Sequence, residues 1–161
     1  MSGEFTIPGF VQHLAVIAVE VVHAEREAID KALEIVQTEA RDSLGTYQPQ
    51  SGPFAAWAPL AEATKEDRVR QGFPEDEPEK RTGALGESIE RTVFPSGREG
   101  ETGSDSPVME WQELGTSKMP PRSIMGGAAA RKADEVAEVI GGRVYAALVG
   151  SSVAGRLIRI I

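Results

Sequence analysis

The sequence contains no cysteine. That excludes disulfides, thiolate metal sites and a cysteine nucleophile, and it fits a cytosolic or particle-assembled protein. Aromatic residues make up only 6% of the chain, against 40% hydrophobic residues in all, so a core must be mostly aliphatic side chains and alanine. Positive charge is also scarce: 17 lysines and arginines face 25 acids, for a formal net charge of −8. Tight binding to phosphates by counterion release is not expected of so acidic a chain. Long hydrophobic runs are missing as well. Residues 14–22, LAVIAVEVV, are too short to span a bilayer, Glu20 interrupts them, and no basic stretch precedes them. Neither a membrane span nor a signal peptide is expected, and no internal repeat is visible.

Catalytic signatures are equally sparse. His13 and His23 stand ten positions apart with no HExxH-type spacing, so they read as ordinary helix-surface histidines and not as zinc ligands. The serines lack a nucleophile-elbow context, and no GxxxxGK[ST] run is present to cradle phosphate. Glu110 and Glu113 share the three-residue spacing that presents two carboxylates together, yet no histidine or other ligand accompanies them. No catalytic residue, metal ligand or cofactor is expected. Lys118, Arg122, Arg131 and Lys132 read as a local basic patch, suited to acidic groups on a neighbouring subunit or, as the weaker alternative, to DNA.

What the chain does hold is a length of 161 residues, suiting one domain, with 17 glycines and 10 prolines clustered toward its middle. This predicts two helical ends around a loop-rich centre. From about Pro8 to Leu44, the apolar residues Leu14, Ile17, Val21, Ala24, Ala28, Ala32 and Ile35 recur at helical spacing, with Gly45 as the stop. The β-branched residues of 16–22 make strand a competing local reading, but length and periodicity favour helix. Residues 46–81 form a loop-rich insertion, with a short polar helix near 60–71 opened by Pro59 and a solvated acidic loop, PEDEPE, after Phe73. SIERTVF, residues 88–94, predicts a strand with Ile89 and Val93 on one side, and 98–105 is a candidate partner in a hairpin.

Ser106-Pro107 then opens a short helix on which Val108, Trp111 and Leu114 share a side, and Gly115 closes it. Pro120-Pro121 forces an extended segment. A last helix runs over about 124–149, weakened at Gly141-Gly142, and an apolar tail with Arg156 and Arg159 occupies 150–161. That tail packs back on the domain or adds a strand to a neighbour. The fold class expected is α+β: long N- and C-terminal helices on a small antiparallel sheet, with a short helix and a proline-rich arm.

One combination stands out. RTGALGESIERTV is followed by GSDSPVMEWQELGTSKMPPRSIM and a C-terminal helix. It resembles the tailed-bacteriophage head–tail joining proteins, also called neck or tail-completion proteins or minor tail components. The likeness is carried by Thr82, Gly83, Leu85, Ser88 and Ile89, by Gly103 and Ser104, by Trp111, Glu113, Gly115 and Thr116, and by Pro120, Pro121 and Arg122. Upstream, Trp57, Leu60 and Thr64 are similar to a segment of the related virion-morphogenesis proteins. The chain departs from the pattern where Val108-Met109 replaces the usual Tyr-Ala, and where Ser123-Ile124-Met125-Gly126-Gly127 follows the arm.

The resemblance implies a non-enzymatic structural protein of the virion, assembled in the host bacterial cytoplasm. It implies a homo-oligomeric ring, on the order of six or twelve copies, between the capsid portal side and the tail. Other neck, connector and tail proteins would adjoin it, and DNA would pass through its lumen without sequence-specific binding. The subunit interface expected on this reading comprises Trp111, Glu113, Leu114, Gly115, Thr116, Lys118, Pro120, Pro121 and Arg122. Two rival classes share the composition: an acidic DNA-mimic or inhibitor of a nucleic-acid enzyme, and a hydrolase using Glu110 or Glu113 with a metal.

Overall fold

A computed structural model describes residues 7–149; the tail expectation for 150–161 falls outside the described residues. The architecture is α+β, as the sequence predicts. In chain order it comprises α1 (Ile7–Ser43), α2 (Glu62–Arg70), α3 (Ala84–Glu87), β1 (Glu90–Val93), β2 (Gly100–Gly103), α4 (Pro107–Leu114) and α5 (Met125–Val149). No helix among the described residues is long and apolar enough to cross a membrane.

The long helix α1 forms where the apolar stripe predicts it, and Gly45 follows its end with φ at 92°. Ala28, Ala32, Ile35 and Ala40 are buried, the first three along one side. The small side chains of the alanines let α5 come close. Glu39 pairs with Arg131, and Glu27 pairs with Arg143. Numbers rise along α5 as they fall along α1, so the two helices run antiparallel. Toward its N-terminus α1 is less covered: Val11, Val16, Val19 and Val22 are exposed. Helix α5 runs without a break through Gly141 and Gly142, where an added Cβ would meet nothing nearby, so these glycines serve no close crossing among the described residues.

The two strands pair antiparallel, with Glu90 opposite Gly103 and Val93 opposite Gly100. Alternation along each strand decides which side chains meet α1. Arg91 reaches Asp30 at 3.2 Å and the side-chain oxygen of Gln37 at 2.6 Å, and the Thr102 hydroxyl donates to the Leu33 carbonyl at 3.3 Å. Gln37 is buried, and its amide donates to the Ile89 carbonyl at 2.8 Å. Ile89 itself, just ahead of β1, is fully buried, and Val93 is half-buried on the expected side.

The core gathers Ala40, Trp57, Ile89, Met109, Ile124 and Ala128. Burying Ile89 or Ile124 contributes about 1.5–3 kcal/mol each. Trp57 closes this cluster from the insertion, and its indole N–H donates to the Ser123 carbonyl at 3.3 Å.

A four-residue helix, α3, leads into the strand. Two local expectations need correction. Helix α2 begins at Glu62, so Pro59 lies ahead of it and not in its first turn. The acidic run is not a wholly solvated loop: Glu75 and Asp76 are exposed, but Pro78 is fully buried and the Glu79 side chain is only 3% exposed. The cause is buried Arg68, which donates to the carbonyls of Pro74 and Lys80 and so folds the run back on α2.

Candidate docking site

The segment from α4 to the start of α5 is where the expected site residues fall, and the structure divides them into an inner and an outer set. The inner set starts with Glu113. Its carboxylate lies across the N-terminus of α5 and accepts from the amides of Ile124 at 2.7 Å, Met125 at 2.9 Å and Gly126 at 2.8 Å. It also accepts from the Ser123 hydroxyl, whose oxygen in turn accepts from the Gly127 amide at 3.2 Å. The opening N–H groups of α5, which lack intrahelical partners, are thereby satisfied. A negative group here also complements the helix dipole. Glu113 is thus occupied, while Glu110 is exposed, and the two do not converge as a carboxylate pair. Among the described residues, no group of three or more metal-ligating side chains assembles.

Arg122 is the second inner residue, with a side chain 5% exposed. Its guanidinium donates to the Ala58 carbonyl at 3.0 Å and to the Pro59 carbonyl at 3.2 Å, and it pairs with Glu79 at 3.2 Å. The basic patch read from the sequence is therefore not one patch. Arg122 is spent on Glu79, and Arg131 and Lys132 face Glu39. Lys118 is exposed and makes no ion pair among the described residues. Glu79 is held above the ordinary carboxylate value of 4.5, mainly because burial penalises its charge; Arg122 and Arg68 pull the other way. Glu79 also has φ at 60°, the left-handed region that side chains other than glycine rarely adopt. Such a conformation costs on the order of 1 kcal/mol, so the surrounding contacts must over-determine it.

The proline arm is less extended than Pro120-Pro121 alone suggests. Gly115 turns the chain with φ at 73°, and an added Cβ there would meet Pro121 N at 2.8 Å and the Met119 carbonyl at 2.9 Å. The Thr116 amide donates to the Met119 carbonyl at 2.9 Å, and the Arg122 amide donates to the Gln112 carbonyl at 2.7 Å. The arm is a tight loop tied to α4 at both ends. Gly126 completes the packing: it leaves room for the Phe54 ring directly against the first turn of α5.

The outer set is what this inner frame presents. Val108, Trp111 and Leu114 are 40%, 52% and 71% exposed, so the stripe they share along α4 faces away from the core, toward which Met109 points instead. Thr116, Lys118, Pro120 and Pro121 are exposed beside it. Ser106 occupies the N-cap position of α4, but its hydroxyl makes no capping bond. Between the arm, α2 and α3 lies a groove of about 750 Å³ walled by Leu60, Leu85, Val108 and Met119. Gln112 also lines it, and its side-chain oxygen is buried with no hydrogen-bond partner among the described residues. Sequence reasoning missed Arg68, Glu79 and Gln112. Pairs such as Glu79 with Arg122 join distant parts of the chain and leave no local pattern.

Replacing Glu113 by alanine should cost about 2–3 kcal/mol of unfolding free energy, read from urea midpoints, with glutamine intermediate. Alanine at exposed Glu110 should change it by less than about 0.5 kcal/mol. Glu79 gives a pH test. Its folded-state pKa is raised, so its contribution is fully present below 4.5 and is lost as pH rises through the folded value. The stability of the native sequence relative to Glu79→Gln should therefore fall as pH rises above 4.5. A difference that rises or stays flat there would contradict the assignment.

No family model, no curated protein and no solved structure matches the chain.

Proposed function

We propose that this chain is a structural subunit of the neck of a tailed bacteriophage. On this reading it works by association, not by catalysis. Copies join into a ring between the capsid portal side and the tail, other neck and tail proteins adjoin that ring, and DNA passes through it without base-specific contacts. It belongs to the virion after assembly in the bacterial cytoplasm.

One observation carries the reading: the apolar stripe of Val108, Trp111 and Leu114 stands exposed on a helix whose position is fixed from within by Glu113 and Arg122. A large aromatic side chain on a rigid element gives contact area at little ordering cost, the property of interface hot spots. An enzyme would put its rigid, well-supported residues around a reaction centre; here the support holds an exposed apolar stripe in place. The resemblance of residues 82–125 to the head–tail joining proteins points the same way, and a net charge of −8 suits a conduit that must not grip DNA.

Trp111→Ala should weaken assembly, of the chain with itself or into particles, by about 2–4 kcal/mol while leaving unfolding of the isolated chain within about 0.5 kcal/mol. Sedimentation and urea melts measure the two effects separately. Unchanged assembly, or a loss that only tracks unfolding, would remove Trp111 from the interface.

A further inference from the structure

The charges of this acidic chain are not evenly spread. The groove beside the arm is bordered by Arg68, Arg81, Lys118 and Arg122 against a single carboxylate, Glu79. It is a cationic recess in a molecule of net charge −8. Arg68 and Arg122 lie at its base and are committed to internal bonds, and Arg81 shares Asp67. Lys118, exposed at the rim, has no carboxylate partner among the described residues.

The hairpin shows the opposite imbalance. Because Arg91 and Thr102 face α1, alternation turns Glu90, Thr92 and Glu101 to the other side. A shallow depression over that outer face is lined by Glu90, Glu101 and Asp105, with no cation among its lining residues. All three acids are exposed and make no ion pair among the described residues. Like charges concentrated on a two-stranded ribbon repel one another and weaken the ribbon unless something compensates.

We infer that the acidic outer face of the hairpin in one copy docks into the cationic groove of a second copy. The occupant is chosen by charge complementarity between two unlike surfaces of the same chain, a pairing that steers encounter and fixes register. Apolar Val108 lines the groove and belongs to the exposed α4 stripe, so the contact continues onto Trp111. Groove and acidic face adjoin near Ser104–Ser106, so two copies can exchange both contacts, or each can pass one on to a third. This deepens the assembly reading above and rests on copies associating.

The test is a charge swap read by sedimentation velocity at low and high salt. Lys118→Glu and the double variant Glu90→Lys/Glu101→Lys should each weaken self-association roughly tenfold or more. An equimolar mixture should restore it to within about threefold, since each variant supplies the charge the other's altered surface requires. Glu138→Lys, exposed on α5 outside both patches, should leave association unchanged and controls for net charge. Circular dichroism checks that each variant is folded. If the native chain associates but neither reversal weakens it, or the mixture fails to restore it, this contact is wrong while the assembly reading stands. If the native chain does not associate at any concentration or salt, both fall.

Discussion

The carboxylate of Glu113 lies where four parts of the chain must agree. It leaves α4 on the side away from the exposed stripe, crosses the root of the arm, and takes the first amides of α5 together with the Ser123 hydroxyl. Without it, α5 would start with buried N–H groups lacking acceptors, each costing about 1–3 kcal/mol. Trp57 then has Ser123 to bond, Ile124 is held in the core beside Ala128, and the arm between Gly115 and Arg122 has both ends fixed. Arg122 adds a second tie, across to residues 58, 59 and 79, which brings the insertion under the same control.

This arrangement separates two jobs that a short helix normally combines. An eight-residue helix has little stability of its own in water, and its apolar face usually supplies the missing energy by packing inward. In α4 only Met109 is buried; Val108, Trp111 and Leu114 are left outside. The helix is held instead by polar bonds at its C-terminal end, which frees its apolar side. On the proposed reading, preorganisation of this kind would lower the entropy cost of association, because a partner would meet a surface already in place. The same economy applies to the arm, where Gly115 and the proline pair restrict the chain before any partner arrives.

The fold was legible where periodicity speaks. Ala28, Ala32 and Ile35 marked the buried side of α1, and the β-branched run before Phe94 marked the hairpin. Within the candidate site, the side shared by Val108, Trp111 and Leu114 was readable from their spacing on a short helix, and Gly115 as its stop. The roles of Glu113 and Arg122 were not readable. A glutamate three residues after another on a helix looks the same whether it faces water or caps a neighbouring helix, and only tertiary contact decides. The acidic run misled for a related reason: composition signals solvent for PEDEPE, but one buried arginine on α2 and one at the end of the arm outweigh it at Pro78 and Glu79.

The central claim is that a frame pinned from within presents its outer face to another copy, and amide hydrogen exchange on free and assembled protein tests it most directly. In the free chain, the amides of Ile124, Met125 and Gly126 should already be protected. Assembly should then add protection across Trp111 to Arg122 and little at the start of α5. Free-chain amides at 124–126 that exchange like open coil, or an assembled form with no added protection between Trp111 and Arg122, would contradict the account.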